Sequence, residues 1–237
     1  SLGCPHDYAL TPGDMRKIAS ADLFIANGLG MEEFLGAPVR KANPGIRIVE
    51  TAAAVPPVGV EGGGHGGVNP HAWVSPKSAI LQVQAIERAL SESSPADATR
   101  FRANADVYAR RLAALSAEYE GAAVGFRRRD IVTFHNVFAY LARDYGLRVV
   151  GEVETIPGQE PSAGEIRKLA AVIREKGVPA LFVGPDSPPR VAGMIAREAG
   201  VPVRMLDPVA TGSTAPSAYE EAMRRNLRTL AEALSRP

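Results

Sequence analysis

Apolar residues along this chain fall into two alternating patterns, short runs of three to six and stripes at helical spacing, and that alternation predicts an α/β fold. Thr11-Pro12-Gly13-Asp14 places an N-cap, a first-turn proline and an acid in order ahead of a helix over Met15 to Ser20. Leu23 to Ala26 reads as a short strand closed by Asn27-Gly28, Met31 to Leu35 as a helical turn, and Ile46 to Glu50 as a second strand. Two prolines and the tract Gly62-Gly63-Gly64-His65-Gly66-Gly67 predict a loop from Ala52 to Gly67. Pro76 to Leu90 follows as a helix with Val83, Ile86 and Leu90 on one face.

The longest predicted element runs from Pro95 to Glu120, with no glycine or proline after its first residue and Ser94 as its expected cap. Phe101, Ala105, Tyr108, Leu112, Leu115 and Tyr119 recur at steps of four and three, one apolar stripe. At about 1.5 Å per residue this helix would reach roughly 39 Å, long enough for a rigid strut between two lobes. Beyond it, strands at Ile131–Phe134, Arg148–Val153, Ala180–Val183 and Val201–Leu206 alternate with helices at Phe138–Tyr145, Ser162–Lys176, Arg190–Ala199 and Tyr219–Leu234. Ser162-Ala163-Gly164-Glu165 is a capping box, and Gly200 ends the third of these helices. Strands spaced by helices imply parallel βαβ units and a complete four-stranded sheet. The first half offers fewer strands, so an unpaired sheet edge or an exposed apolar face is expected there. No repeat at solenoid spacing is present.

Composition narrows the function classes. Of the 237 residues 46% are apolar and 22% charged, as in a globular protein. No apolar run approaches the roughly 18–20 residues of a bilayer span. A net charge of +1 and 6% aromatics give no reason to expect a nucleic-acid or membrane-surface partner. The single cysteine, Cys4, excludes an internal disulfide; it reads as an inert thiol, with a lipoprotein cleavage site after Ser1-Leu2-Gly3 as the alternative. No charged, apolar leader precedes it, so the chain is expected to be a mature or trimmed form.

Four histidines are present, and each can be weighed alone. His135 directly follows an apolar strand, and Asp207 stands at the equivalent place after Val201–Leu206. In parallel sheets ligands bind outside the carboxyl ends of strands, so both are candidate metal ligands. The alternatives are a helix cap or core histidine for His135 and a turn cap ahead of Pro208 for Asp207. His71, in Asn69-Pro70-His71-Ala72-Trp73, is a proline-fixed loop histidine beside the only tryptophan. His6, followed by Asp7, is similar; for both, a solvated loop side chain is the alternative. His65 sits among glycines that no packing could hold, so it is either incidental or a mobile, weak metal contact. HExxH, paired CxxC, Walker and G-x-S-x-G motifs are absent. Gly28-Leu29-Gly30 lacks the third glycine of a dinucleotide loop. Ser75, Ser78 and Ser162 look like helix caps, and Arg127-Arg128-Arg129 like a solvated turn.

Together these segments resemble a known family. His6-Asp7-Tyr8 with Thr11-Pro12-Gly13-Asp14, then Ala21-Asp22-Leu23 through Asn27-Gly28-Leu29-Gly30, is similar to the N-terminal lobe of zinc- and manganese-specific ABC solute-binding proteins. Asn69-Pro70-His71-Ala72-Trp73-Val74-Ser75-Pro76 resembles that family's DPHxWxDP segment, with Asn and Ser in place of the two Asp. Thr133-Phe134-His135-Asn136 with Tyr140-Leu141-Ala142 and Tyr145-Gly146-Leu147, then Glu160-Pro161-Ser162-Ala163 and Leu206-Asp207-Pro208, complete the match in order.

The resemblance implies two α/β lobes with mostly parallel sheets joined by one long backbone helix, with the metal site in the interlobe cleft. It divides the chain into an N-terminal lobe over 1–93, a linking helix over 94–122 and a C-terminal lobe over 123–237, the first of these lacking the family's opening strand and helix. It implies that His6, His71, His135 and Asp207 are the four metal ligands and that the cargo is Zn2+, with Mn2+ next. The partner is the membrane permease of an ABC importer, the location periplasmic or membrane-anchored outside the cytoplasm, and the state monomeric unless the shortened lobe pairs with another chain. Four protein ligands close a tetrahedral shell and leave no position for a reactive water, so no enzyme activity is expected. The rival from another class is a mononuclear zinc hydrolase using three of these ligands, with Glu152, Glu154 or Glu160 as general base.

Overall fold

The computed structural model describes residues 8–59, 67–153 and 161–235; Cys4, His6, Asp7, His65, Glu154 and Glu160 lie outside the described residues. The chain divides into two compact units, Ser1–Ala114 and Leu115–Pro237.

In the first unit the Thr11 box forms as expected. The Thr11 hydroxyl accepts the Asp14 N–H while the Asp14 carboxylate accepts the Thr11 N–H, opening α1 (Pro12–Ala19). β1 (Leu23–Ala26) and β2 (Arg47–Glu50) pair in parallel, Leu23 beside Arg47 and Ala26 beside Glu50. Between them runs α2 (Gly36–Ala42), which the pattern does not predict because Gly36 and Pro38 look like breakers. Pro38 falls in the first turn, however, where the missing N–H costs the helix nothing. Ile18, Val39 and Ile46 form a small core, flanked by Leu10, Phe24, Leu35 and Ile48. The expected exposed apolar surface is present: Ile25 is 42% and Phe34 46% exposed. A groove of about 430 Å³ opens between Phe24, Leu35, Val39 and Ile48 and an acidic rim of Glu32, Glu33 and Glu50. Among the described residues this sheet has two strands.

The expected loop over 52–67 begins with a 3-10 turn at Thr51–Ala54 and closes on an antiparallel bridge between Gly59 and Val68. α3 (Pro76–Ser93) follows. Its buried positions are Pro76, Ser78, Ala79, Gln82 and Ala89, while the predicted face of Val83, Ile86 and Leu90 is half-buried. Ser75 holds the N-cap position that the sequence suggested, although its hydroxyl makes no capping bond, whereas Ser78 lies inside the helix and is no cap.

The long helix also starts differently. Pro95–Asp97 is a 3-10 turn, and α4 (Ala98–Val124) is continuous for 27 residues, about 40 Å at 1.5 Å per residue. Ser94 does not cap the backbone; its hydroxyl donates to the Asp97 carboxylate at 2.9 Å. The division between the two units falls inside α4. Its predicted stripe deepens along the helix: Phe101, Ala105 and Tyr108 are half-buried, Leu112, Leu115 and Tyr119 buried.

The second unit holds the predicted sheet. β3 (Asp130–Thr133), α5 (Ala139–Tyr145), β4 (Arg148–Glu152), α6 (Ala163–Glu175), β5 (Leu181–Val183), α7 (Pro189–Ala199), β6 (Val203–Met205) and α8 (Ala218–Leu234) follow in turn. The strands lie in the order β4-β3-β5-β6, all parallel. β6 is shorter than predicted because Pro202 has no N–H to add to the ladder; its carbonyl still accepts the Leu181 N–H at 2.9 Å. Val132, Phe134, Ile166, Ile173, Leu181, Val191 and Ile195 build a continuous core between β3, β5, α6 and α7. Tyr119 anchors the end of α4 through its hydroxyl to the Met223 carbonyl at 2.6 Å and its ring against Tyr145. The arginine triple is more than a solvated turn. The Arg127 and Arg128 N–H groups donate to the Leu234 carbonyl, and the Arg129 guanidinium donates to the Ala123 carbonyl at 2.7 Å, satisfying carbonyls at the ends of α8 and α4. Among the described residues no helix is long and apolar enough to cross a membrane.

Candidate metal centre

His71 lies in the first unit, between the bridge at Val68 and the 3-10 turn Ala72–Val74 that leads into α3. Its surroundings are built from backbone and amide bonds. Asn69 is 2% exposed, and its side-chain oxygen accepts the His71 N–H at 2.9 Å and meets His71 Nδ1 at 3.0 Å. The Pro70 carbonyl accepts the Ala72 N–H and the Asn27 side-chain amide, each at 2.8 Å. Asn27 in turn accepts from Gln82 Nε2 at 2.9 Å, and the same amide reaches Thr51 Oγ1 at 3.1 Å. The Trp73 ring lies 5.2 Å from the imidazole, centroid to centroid. The half-buried imidazole is therefore held on one side by hydrogen bonds and on another by an apolar ring.

Asn27 closes β1, and the chain leaves it through an unusual turn in which Gly28, Leu29 and Gly30 all have positive φ. The Glu32 carboxylate accepts the Asn27 and Gly28 N–H groups at 2.7 and 3.0 Å. Gly28 is required here, since a Cβ would stand 2.8 Å from that of Glu50. These glycines shape the exit of a strand.

In the second unit, His135 and Asp207 both stand just past the carboxyl ends of strands of one parallel sheet, β3 and β6. The Thr133 hydroxyl donates to the His135 carbonyl at 2.8 Å, and the Phe134 ring meets the imidazole edge-on at 5.0 Å. His135 thus turns off the sheet half-buried, ahead of α5. Asp207 is fixed from α8: its N–H donates to Asn226 Oδ1 at 2.8 Å and its carbonyl accepts from Asn226 Nδ2 at 2.7 Å. Asp207 Oδ1 accepts the Val209 N–H at 2.8 Å, the turn-capping bond that the sequence left open. Val209 sits at φ 53, a strain of about 1–3 kcal/mol for a branched residue that the surrounding bonds must hold. The other carboxylate oxygen lies 3.8 Å from the Arg225 guanidinium.

Glu152, at the end of β4 beside Thr133, is half-buried, and loss of solvent pushes its carboxyl above the ordinary range. Among the described residues no three His, Cys, Asp or Glu side chains gather into a metal-holding group. His6, the fourth candidate ligand, lies outside them. Sequence reading missed Asn226 and Asn27, although each gives a signal: Asn226 interrupts the apolar face formed by Ala222, Met223 and Leu230 on α8, and Asn27 ends a strand. A polar group at a core position needs a partner, and here the partners are the backbone beside Asp207 and His71.

Parallel α/β units with imidazole and carboxylate side chains beyond their strand ends form the architecture of a small-ligand binder. Residues 2–233 match the family described as zinc-uptake complex component A, periplasmic, and the chain belongs to that family. It is 30% identical to the zinc-binding protein AdcA of Streptococcus pyogenes, over 95% of this chain and 49% of AdcA. To the iron-binding protein YfeA of Yersinia pestis it is 32% identical, over 82% of this chain and 63% of YfeA. The solute-binding protein FpvC of Pseudomonas aeruginosa, solved in complex with Mn2+, superimposes with a TM-score of 0.85 at 32% identity, covering 98% of this chain and 86% of FpvC. The chain spans about half the length of the AdcA relatives that it matches. Nothing in these matches supports the hydrolase alternative.

Proposed function

We propose that this chain is the extracytoplasmic metal-capturing subunit of an ABC importer, and that His6, His71, His135 and Asp207 hold a divalent transition metal as cargo. Zinc is the first assignment and manganese the second. The observation that carries the reading is the placement of His135 and Asp207 beyond the carboxyl ends of two strands of one parallel sheet, in a chain of a zinc-uptake family. Three neutral imidazoles and a carboxylate suit Zn(II), with Mn(II) and Fe(II) also compatible. Of the three relatives, two are named for zinc and iron and the third was solved with Mn2+, so the family does not choose among them. Intrinsic affinity favours zinc over manganese.

Four protein ligands complete a tetrahedral shell, which supports carriage over catalysis. The partner is the membrane permease of the importer, with residues 1–93 and 123–237 as lobes and 94–122 as the linking helix. Metal analysis of protein purified without added metals, followed by competition titrations among zinc, manganese and copper, tests the assignment. Stoichiometric zinc, displaced by copper and not by manganese, is expected. Absence of any tight divalent-metal binding would overturn it.

A further inference from the structure

We infer that Asn69 is a positioning residue for His71, fixing which imidazole nitrogen is presented to the metal. This rests on the proposed ligand role of His71, and it goes further by assigning the tautomer and the residue that sets it.

The atom assignment follows from the hydrogen bonds alone. One side-chain atom of Asn69 meets both the His71 N–H and His71 Nδ1, at 2.9 and 3.0 Å. A backbone N–H can only donate, so that atom is the amide oxygen and not its nitrogen. An oxygen can only accept, so Nδ1 must carry the hydrogen. The lone pair of the neutral ring then lies on Nε2, at the far side of the imidazole. Metal-ligating histidines commonly donate their second ring N–H to an acceptor that fixes tautomer and ring orientation, and Asn69 is in that relation to His71.

Asn69 is itself held rigidly. It is 2% exposed, its own N–H donates to the Val58 carbonyl at 2.8 Å, and the next carbonyl, of Pro70, is gripped by Asn27. Proline at 70 fixes one backbone dihedral between the two residues. The acceptor is neutral, where the motif that this segment resembles carries a carboxylate, so it orients the ring without adding charge to the site.

The direct test is 15N NMR on the histidine-labelled, metal-free protein near pH 8, where an unperturbed imidazole is neutral. His71 is expected as the Nδ1–H tautomer; an Nε2–H tautomer would overturn the assignment. Zinc titration then tests the consequence. Asn69→Ala is expected to weaken zinc binding by about 10–100-fold, while Asn69→Asp, which keeps the acceptor, retains wild-type affinity or exceeds it. Wild-type affinity in Asn69→Ala, with His71→Ala strongly impaired, would overturn the positioning role and leave the ligand set intact. Wild-type affinity in His71→Ala would overturn the ligand assignment, and this role with it. Because the tautomer is measured on the unaltered chain, a misfolded Asn69→Ala protein would not spare the inference.

Discussion

The two units present their candidate ligands by different physical means. In the second, His135 and Asp207 extend from the ends of strands locked into a four-stranded parallel sheet with a continuous apolar core. In the first, the described sheet has two strands and the core cluster is Ile18, Val39 and Ile46 with their neighbours. There His71 depends on a chain of amide bonds running from Asn69 and Pro70 through Asn27 and Gln82 to Thr51. A thin core can still hold a ligand if buried amides replace apolar packing, because each buried polar group has few satisfied alternatives. The second unit should therefore tolerate changes at its ligands and fail at its core, whereas the first should be sensitive at its amides.

The largest effect is expected on metal affinity. His135→Ala should weaken zinc binding by orders of magnitude while moving the thermal midpoint little, since a half-buried strand-end residue is not core packing. Replacing His65 should change affinity only slightly. Equal losses from the two would mean that the glycine tract belongs to the site.

Next in size is the contrast between cores. Ile195, fully buried on α7, should cost about 2–5 kcal/mol when changed to Ala. Ile25, 42% exposed on β1, should stay within about 0.5 kcal/mol. Chemical denaturation of the two variants checks this, and similar losses would show that the exposed face of the first sheet is covered in solution.

A smaller effect is expected from Asn226→Ala, which deletes both bonds to the Asp207 backbone. Leaving those groups without their partners should cost about 1–3 kcal/mol of stability and weaken zinc binding through Asp207. Unchanged affinity in a folded Asn226→Ala protein would separate the support of Asp207 from its proposed ligand role.

The smallest concerns the acid limb of stability. Bonds from the Thr11 hydroxyl and N–H and from the Tyr8 hydroxyl hold the half-buried Asp14 carboxyl down at about 2. A depressed carboxyl stabilises the fold above its unfolded value near 3.8, and the contribution fades as pH falls from there through about 2. Asp14→Asn should lower stability near pH 7, and its difference from the unaltered protein should shrink as pH falls from about 3.8 towards about 2. A difference that persists undiminished in acid would point to lost helix capping in place of lost charge.

Much of this fold was legible because it follows local rules. The stripe from Phe101 to Tyr119, the Thr11 and Ser162 capping boxes and the four C-terminal strands all rest on spacing or on a single cap. Legibility failed where tertiary context overrides local preference. α2 starts at a glycine and keeps a proline in its first turn, and α3 buries Gln82 deeper than its apolar stripe because Asn27 and Thr51 need its amide. The places of His135 and Asp207 could be read because a strand end is a sequence feature. The partners of Asn27 and Asn226 could not, since a hydrogen bond across 43 residues, as from Asn27 to Pro70, leaves no periodic trace.

A structure of the zinc-loaded protein decides whether one four-ligand site holds a carried metal. The imidazole nitrogens of His6, His71 and His135 and one carboxylate oxygen of Asp207 should each lie about 2.0–2.2 Å from a single zinc ion with no bound water. His71 should coordinate through Nε2. A zinc ion held by three of these residues with a water in the fourth position, or by any set that omits two of them, would contradict a closed four-ligand carrier site.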